Sequence, residues 1–331
     1  MSAPLSITTA SPIAAEVYEG LTAKPKRLSP KLFYDAAGSA LFEQITGLPE
    51  YYLTRTERCI LELNAHDIID AAGSPHLPSI GRCKIDDLSL IELGAGTASK
   101  TRILIRAALQ RQRSLKFFPI DISKSALDEA VHHLHGDFPQ LRVTPIVADY
   151  SRGLGQLSTV AGRKLLLYLG SSIGNFEPMQ AAALLRAMRK CLRPGDALLL
   201  GTDLVKSESL LVPAYDDAQG VTAAFNKNVL NRINHELAAN FDVSTFQHVA
   251  LCNREASRME MHLESTRAQV VNIRALNMRV HFNKGERIHT ENSYKFTQPV
   301  VDSVLNLAGF TREQTWTDSK QWFALHLARV L

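Results

Sequence analysis

The chain has 331 residues, 45% apolar and 21% charged, with a formal net charge of +4. That length exceeds one ordinary domain and suits either a large core with an insertion or two domains. No run nears the roughly 18 apolar residues that cross a bilayer, and the small charge, with no dense Lys/Arg block, lacks the footprint of a nucleic-acid binder.

The first twenty residues, MSAPLSITTASPIAAEVYEG, have neither a basic leader nor a continuous apolar core, so no secretory signal is read and the expected location is the cytoplasm. Residues 1–19 read as flexible. The four cysteines, Cys59, Cys83, Cys191 and Cys252, are scattered without a C-x-x-C pair, which suits reduced thiols rather than a zinc site or a disulfide framework. Next, LSPKLFYDAAGSALFEQITGLPEYYLTRTE mixes helix signals with a Pro-broken aromatic turn. HDIIDAAGSPHLPSIGRCKIDD then runs through a Gly/Ser/Pro-rich exposed loop toward the first strand.

From Leu88 onward short apolar runs alternate with helical patterns: LSLIEL then KTRILIRAALQ, FFPIDI then SKSALDEAVHHL, VTPIVADY, LLLYLG then PMQAAALLRAMRKCL, and DALLLGTDL. Strands so uniformly apolar belong to a parallel sheet covered on both faces, so the fold class is α/β. RAALQRQRSLK reads as a solvated helix end. HHLH at His132 to His135 sits in a helix before Gly136 without a matching ligand set, so a surface or C-terminal-turn role is preferred and no metal is expected.

The pattern changes from Val205 to about Phe296, where VTAAFNKNVLNRINHELAANF precedes the strand-like SRMEMHLES, NMRVHFN and HTENSYKF. This block reads as an inserted α+β unit. After it, TQPVVDSVLNLAGF is a helix closed by Gly309, and TREQTWTD with WFALHLARVL makes a terminal hairpin. Five strands before the insertion and two after it make seven, the last antiparallel. That count suits a methyltransferase sheet better than the all-parallel sheet of many dehydrogenases.

The first strand runs into LIELGAGTASKT, where Gly94 and Gly96 open a helix but Ser99 takes the place of the third glycine of G-x-G-x-x-G. A dinucleotide puts its pyrophosphate on that helix N-terminus and needs the third glycine for close helix packing. S-adenosylmethionine instead offers a carboxylate, to which Lys100 and the helix N-terminus supply positive potential. Asp121, ending the second strand, is placed to accept from ribose hydroxyls, and Asp149, followed by Tyr150, from the adenine amino group. The bland alternative makes either aspartate a helix cap.

Several longer strings are more specific: PKLFYDAAGSALFEQITGLPEYYLTRTE, LGSSIGNF, LLLGTDLVK, AYDDAQGVTAAFNKNVL and HTENSYKF. With ELGAGTASKT they closely resemble the L-histidine Nα-methyltransferases of ergothioneine biosynthesis, from about residue 20 to the C-terminus. The resemblance implies a Rossmann-like class I methyltransferase domain at 60–205 and 297–331, and a substrate-binding α+β domain at 20–59 and 206–296. It also implies S-adenosyl-L-methionine as cofactor and trimethylation of the α-amine of L-histidine to hercynine.

Carried over position by position, the cofactor residues are Gly94, Gly96, Lys100, Asp121, Asp149 and Tyr150. The substrate residues are Phe42, Tyr51, Gly170, Asn175, Tyr215, Met261, Glu291 and Ser293, with Tyr51 and Tyr34 as the catalytic pair. Two departures stand out: the stretch from Ser74 to Asp87 is longer than the family's, and Tyr150 replaces a phenylalanine.

Glu291 and Ser293 are two apart in a strand and so share a face, where a carboxylate and a hydroxyl can read the two nitrogens of an imidazole. Three other readings stay open: a methyltransferase for tryptophan or tyrosine, which Glu291 disfavours, a nicotinamide-dependent dehydrogenase, and a non-catalytic binding protein. The expected partner is a small molecule, L-histidine, with no nucleic acid or membrane, and the expected state is a monomer.

Overall fold

The computed structural model describes residues 11, 13–73, 87–148 and 154–330. In chain order its helices are α1 (Ala14–Thr22), α2 (Ala36–Gly47), α3 (Tyr52–Gly73), α4 (Thr101–Leu109), α5 (Lys124–Asp137), α6 (Pro178–Arg189), α7 (Glu208–Tyr215), α8 (Val221–Leu237) and α9 (Gln298–Ala308). The strands are β1 (Lys26–Arg27), β2 (Leu88–Leu93), β3 (Leu115–Asp121), β4 (Leu141–Val143), β5 (Ile146–Val147), β6 (Arg163–Tyr168), β7 (Ala197–Asp203), β8 (Phe246–Asn253), β9 (Arg258–Ser265), β10 (Gln269–Ile273), β11 (Met278–Phe282), β12 (Arg287–Tyr294), β13 (Phe310–Thr317) and β14 (Phe323–Val330). The chain forms two compact units, one of Met1–Tyr52 and Ser207–Ser293, the other of Leu53–Lys206 and Tyr294–Leu331.

In the second unit every residue of β2, β7 and β14 is buried, which requires cover on both faces of the sheet. Ile60, Leu61 and Ile68 of α3, Leu104 and Ile105 of α4 and Leu134 of α5 fill one side. Ala181, Leu185 and Met188 of α6 with Val301, Val304 and Leu305 of α9 fill the other. The strand order is β13-β14-β7-β6-β2-β3-β4, with β5 also on β3. β2, β3, β4, β6 and β7 run parallel, while β14 is antiparallel to both β7 and β13.

This is the sheet of seven strand positions with an antiparallel last strand expected from the pattern. VTPIVADY is not one strand, however. Pro145 has no N–H to donate, so pairing with β3 breaks into β4 and β5. Gly309 closes α9 in the left-handed conformation, φ 82°, as its position predicts.

In the first unit, β1-β12-β9-β8 form a four-stranded sheet and β10-β11 a separate hairpin. β9 alternates strictly, burying Met259, Met261, Leu263 and Ser265. α8 buries Phe225, Val229, Leu230, Ile233 and Leu237, a helical stripe. It starts where the Asp217 carboxylate accepts the Val221 and Thr222 N–H groups at 3.0 and 2.7 Å. Asp35 caps α2 through the Gly38 N–H at 2.7 Å and also accepts from Asn228 of α8 at 2.8 Å.

The compact units and helices are bounded differently from the expected domains at three points. The break at 59/60 falls inside α3, which is one helix from Tyr52 to Gly73, and the units divide at Tyr52/Leu53. One compact unit ends at Ser293, and Tyr294 and Phe296 pack in the sheet unit's core, where the expected domain runs to 296. Residues 1–19 are not all flexible: α1 begins at Ala14, with Ala14 and Val17 buried. Among the described residues no helix is long and apolar enough to cross a membrane.

Candidate functional site

In the sheet unit, the turn after β2 holds Gly94 at φ 69° and Gly96 at φ 51°, a region that costs residues with a Cβ and leaves glycine free. The Asp121 carboxylate at the end of β3 accepts the N–H of Gly96 at 2.9 Å and that of Ser123 at 2.9 Å. The cap of α5 is the Ser123 hydroxyl, which accepts from the Ala126 N–H, so Asp121 is not merely a helix cap. It braces the glycine turn and keeps acceptor capacity on both oxygens.

Lys100 does not stand as an open cation. Its ammonium is ion-paired with Glu57 of α3, whose side chain is fully buried. The same carboxylate accepts the Gly170 N–H at 2.8 and 3.0 Å. Nearby Glu92 is buried 2.6 Å from the Thr101 hydroxyl, and desolvation pushes its pKa up to about 8. Neither Glu57 nor Glu92 was among the residues expected from the sequence.

Gly170 and Ser171 are both left-handed, φ 74° and 56°, and the Ser171 hydroxyl accepts the Asp203 N–H at 2.8 Å. Asn175 closes the following turn, Ser172–Asn175, and is half-buried. A Cβ on Gly174 would lie 2.9 Å from the Tyr294 carbonyl, so only glycine lets that turn approach so closely. Asp203 also binds Lys206 and Lys295, fastening the two points where the chain leaves and re-enters this unit. Asp149 and Tyr150 lie outside the described residues.

These residues fit S-adenosylmethionine better than a dinucleotide. A pyrophosphate needs positive charge, and here Lys100 is already balanced by Glu57 while Asp121 adds a negative charge. A ribose diol needs an acceptor, which Asp121 is. Among the described residues nothing lies within 4 Å of a Cβ built on Gly96.

In the other unit three expected residues come together. The ring of Phe42 lies 5.8 Å from that of Tyr34 and 6.3 Å from that of Tyr51, both edge-on. Phe225 of α8 completes the group, 5.8 Å from Tyr34 and 5.9 Å from Phe42. It was missed because its spacing reads simply as helix core.

Tyr215, ending α7, places its hydroxyl 2.7 Å from that of Ser293, and both side chains are buried. The Tyr215 carbonyl accepts from His248 Nε2 at 2.8 Å, and His248 Nδ1 accepts from the Asn226 amide at 2.8 Å. Burial pushes the His248 pKa down, keeping the ring neutral with its proton on Nε2. Glu291 is half-buried two residues before Ser293 on β12, and Met261 is buried on β9, its carbonyl accepting from Thr290 at 2.9 Å. HHLH lies mostly exposed on α5, and among the described residues no group of three His, Cys, Asp or Glu could hold a metal.

The family described as histidine-specific, SAM-dependent methyltransferase matches residues 13–330. The chain is 44% identical over 321 residues to the histidine N-alpha-methyltransferase of Mycolicibacterium smegmatis, covering 97% of this chain and 96% of that one. It is 43% identical over 313 residues to the histidine N-alpha-methyltransferase of Mycobacterium tuberculosis, covering 95% and 93%. Ergothioneine biosynthesis protein 1 of Schizosaccharomyces pombe is 30% identical over 246 residues, 72% of this chain and 31% of that protein. Because the match takes in the glycine turn of one unit and the hydroxyl pair of the other, and runs almost end to end, this chain belongs to the SAM-dependent, histidine-specific methyltransferases.

Proposed function

We propose that this protein methylates the α-amine of L-histidine, three times in succession, to give hercynine in ergothioneine biosynthesis. The observation that carries the reading is the buried Tyr215–Ser293 hydroxyl pair, on the strand of Glu291, in a chain of this family.

S-adenosylmethionine, when bound, supplies a sulfonium methyl group open to in-line displacement. Gly94, Gly96, Lys100 and Asp121 are the described residues suited to hold it, with Asp149 and Tyr150 added by sequence. An imidazole presents two nitrogens, one N–H and one lone pair. Glu291 accepts from the first. The Ser293 hydroxyl pairs with the second. A side chain that leaves these groups unanswered is penalised, which disfavours indole and phenol.

The Tyr215 hydroxyl, 2.7 Å from that of Ser293, is assigned with Asn175 to the carboxylate and amino end of the substrate. Gly170 and Met261 are assigned to the pocket wall. The α-amine attacks only as the free base, and Tyr51 and Tyr34, directly or through water, are assigned to orient its lone pair behind the methyl group. The Tyr34–Phe42–Tyr51 cluster supplies aromatic faces for the methylated ammonium formed in later rounds.

On this reading the partner is a small molecule, the working unit is a single chain, and the free thiols of Cys59, Cys191 and Cys252 suit a reducing cytoplasm. The test is incubation of the protein with S-adenosylmethionine and each proteinogenic amino acid, followed by mass spectrometry. Histidine is expected to gain three methyl groups. Preferential methylation of tryptophan or tyrosine, or no transfer to any amino acid, overturns the reading.

A further inference from the structure

We propose that Glu57 sets the charge preference of the donor site, neutralising Lys100 so that the cationic methyl donor is held in preference to the neutral thioether left after transfer. The proposal rests on the reading of Lys100 as a cofactor residue.

Glu57 is a carboxylate on the core-facing side of α3, with its side chain fully buried, and it serves two groups at once. It pairs with the Lys100 ammonium, whose side chain is 19% exposed, and takes the Gly170 N–H on both oxygens. Its Oε1 is packed so closely over Gly201 that a Cβ there would lie 2.4 Å away. A charge held this way is costly to bury and needs its partner. The pair therefore places an ammonium at the site as a hydrogen-bond donor while cancelling its net charge.

Among the described residues at this sheet edge, Lys100 and Glu57 cancel, burial favours the neutral form of Glu92, and the Asp121 carboxylate holds the glycine turn. S-adenosylmethionine carries an ammonium, a carboxylate and a sulfonium, for a net charge of +1. S-adenosylhomocysteine lacks the sulfonium charge and is neutral overall. The two differ otherwise only by the transferred methyl, so a distortion away from that methyl weakens both alike. A change of local charge alters the ratio with a sign that follows the charge, which a change of shape does not.

Glu57→Gln keeps an oxygen for Gly170 and leaves Lys100 uncompensated. The carboxylate common to both ligands is attracted equally, and the sulfonium alone is repelled. Dissociation constants for both ligands are to be measured by titration calorimetry in the presence of trimethylated histidine, which accepts no further methyl group. Glu57→Gln is expected to lower the preference for S-adenosylmethionine by roughly 5- to 10-fold, the order of effect of one unit charge across a site of effective dielectric near 20. Lys100→Met is expected to shift the ratio the opposite way, and the double variant Glu57→Gln/Lys100→Met to return it toward the starting value.

Equal weakening of both ligands in Glu57→Gln, with the ratio unchanged, overturns the proposal. Should that variant not fold, the same comparison is made between Lys100→Met and the double variant, which leaves no unpaired charge, and an unchanged ratio there overturns it equally. Failure of the unaltered protein to bind either ligand would instead remove the reading of the cofactor site on which the proposal stands.

Discussion

At the scale of single residues, the side chains that carry chemistry were readable where their role is local. Gly94 and Gly96 announce a left-handed turn because few other residues adopt it, and both have positive φ. Glu57 was overlooked, although it breaks the apolar stripe Leu53, Ile60, Leu61, Ile68 of α3, and a charge in such a stripe is buried only with a partner. Naming that partner needs the fold, since Lys100 is 43 positions away. Glu291 supports the sharpest substitution at this scale. Removing a carboxylate that accepts from a substrate N–H costs about 1.5–3 kcal/mol, or roughly 10- to 150-fold. Glu291→Ala is therefore expected to lower kcat/KM for histidine by that range and to narrow its advantage over tryptophan and tyrosine. Steady-state kinetics on the three amino acids checks this, and histidine turnover at the original rate removes Glu291 from recognition.

At the scale of elements, the periods of 2 and 3.6 located β9 and α8 closely, because each buries a single face or stripe, and β2 was legible as a short continuous apolar run buried on both faces. They failed at VTPIVADY, where one proline splits a strand, and at α3, whose pattern continues through the point where the chain passes from one unit to the other. α2 shows how an element positions several site residues at once. A Cβ on Gly38 would sit 1.7 Å from the Phe33 carbonyl, so α2 lies against the segment that carries Tyr34. Gly38→Ala must push the helix away, and with it Phe42, one turn further on. The expected outcome is a loss of about 2–4 kcal/mol of stability and a KM for histidine raised severalfold, more than that for S-adenosylmethionine. Thermal unfolding and steady-state kinetics read the two effects, and an unchanged melting temperature would contradict the packing argument.

At the scale of the whole molecule, stability has a pH dependence that follows from burial. His326 on β14 is buried, with Nε2 2.9 Å from the Thr202 hydroxyl of β7 and Nδ1 3.0 Å from the Thr315 hydroxyl of β13, so it zips three neighbouring strands. Desolvation, aided by the Arg312 charge, pushes its pKa down to about 4 from 6.5. The unfolded chain therefore takes up this proton near pH 6.5 and the folded chain only near 4, so the contribution is complete above about pH 6.5 and is lost as pH falls through 4. That amounts to about 3 kcal/mol, and burial lowers His248 and His262 in the same direction. Denaturant unfolding from pH 8 to pH 4 is expected to show this loss, and His326→Gln to flatten much of it; a flat profile in the unaltered protein would exclude it.

The sequence by itself determined the α/β class, the antiparallel last strand, the glycine turn and the resemblance to a histidine methyltransferase, because each rests on spacing within one contiguous stretch. Only the tertiary structure decided which charges and hydroxyls meet. Tyr215 and Ser293 lie 78 positions apart, His248 reaches the Tyr215 carbonyl across 33, and the pairing of Lys100 with Glu57 cancelled a charge that the local motif presented as open. Pairings of this kind depend on which ends of strands and helices are packed side by side, and no period or local motif carries that information.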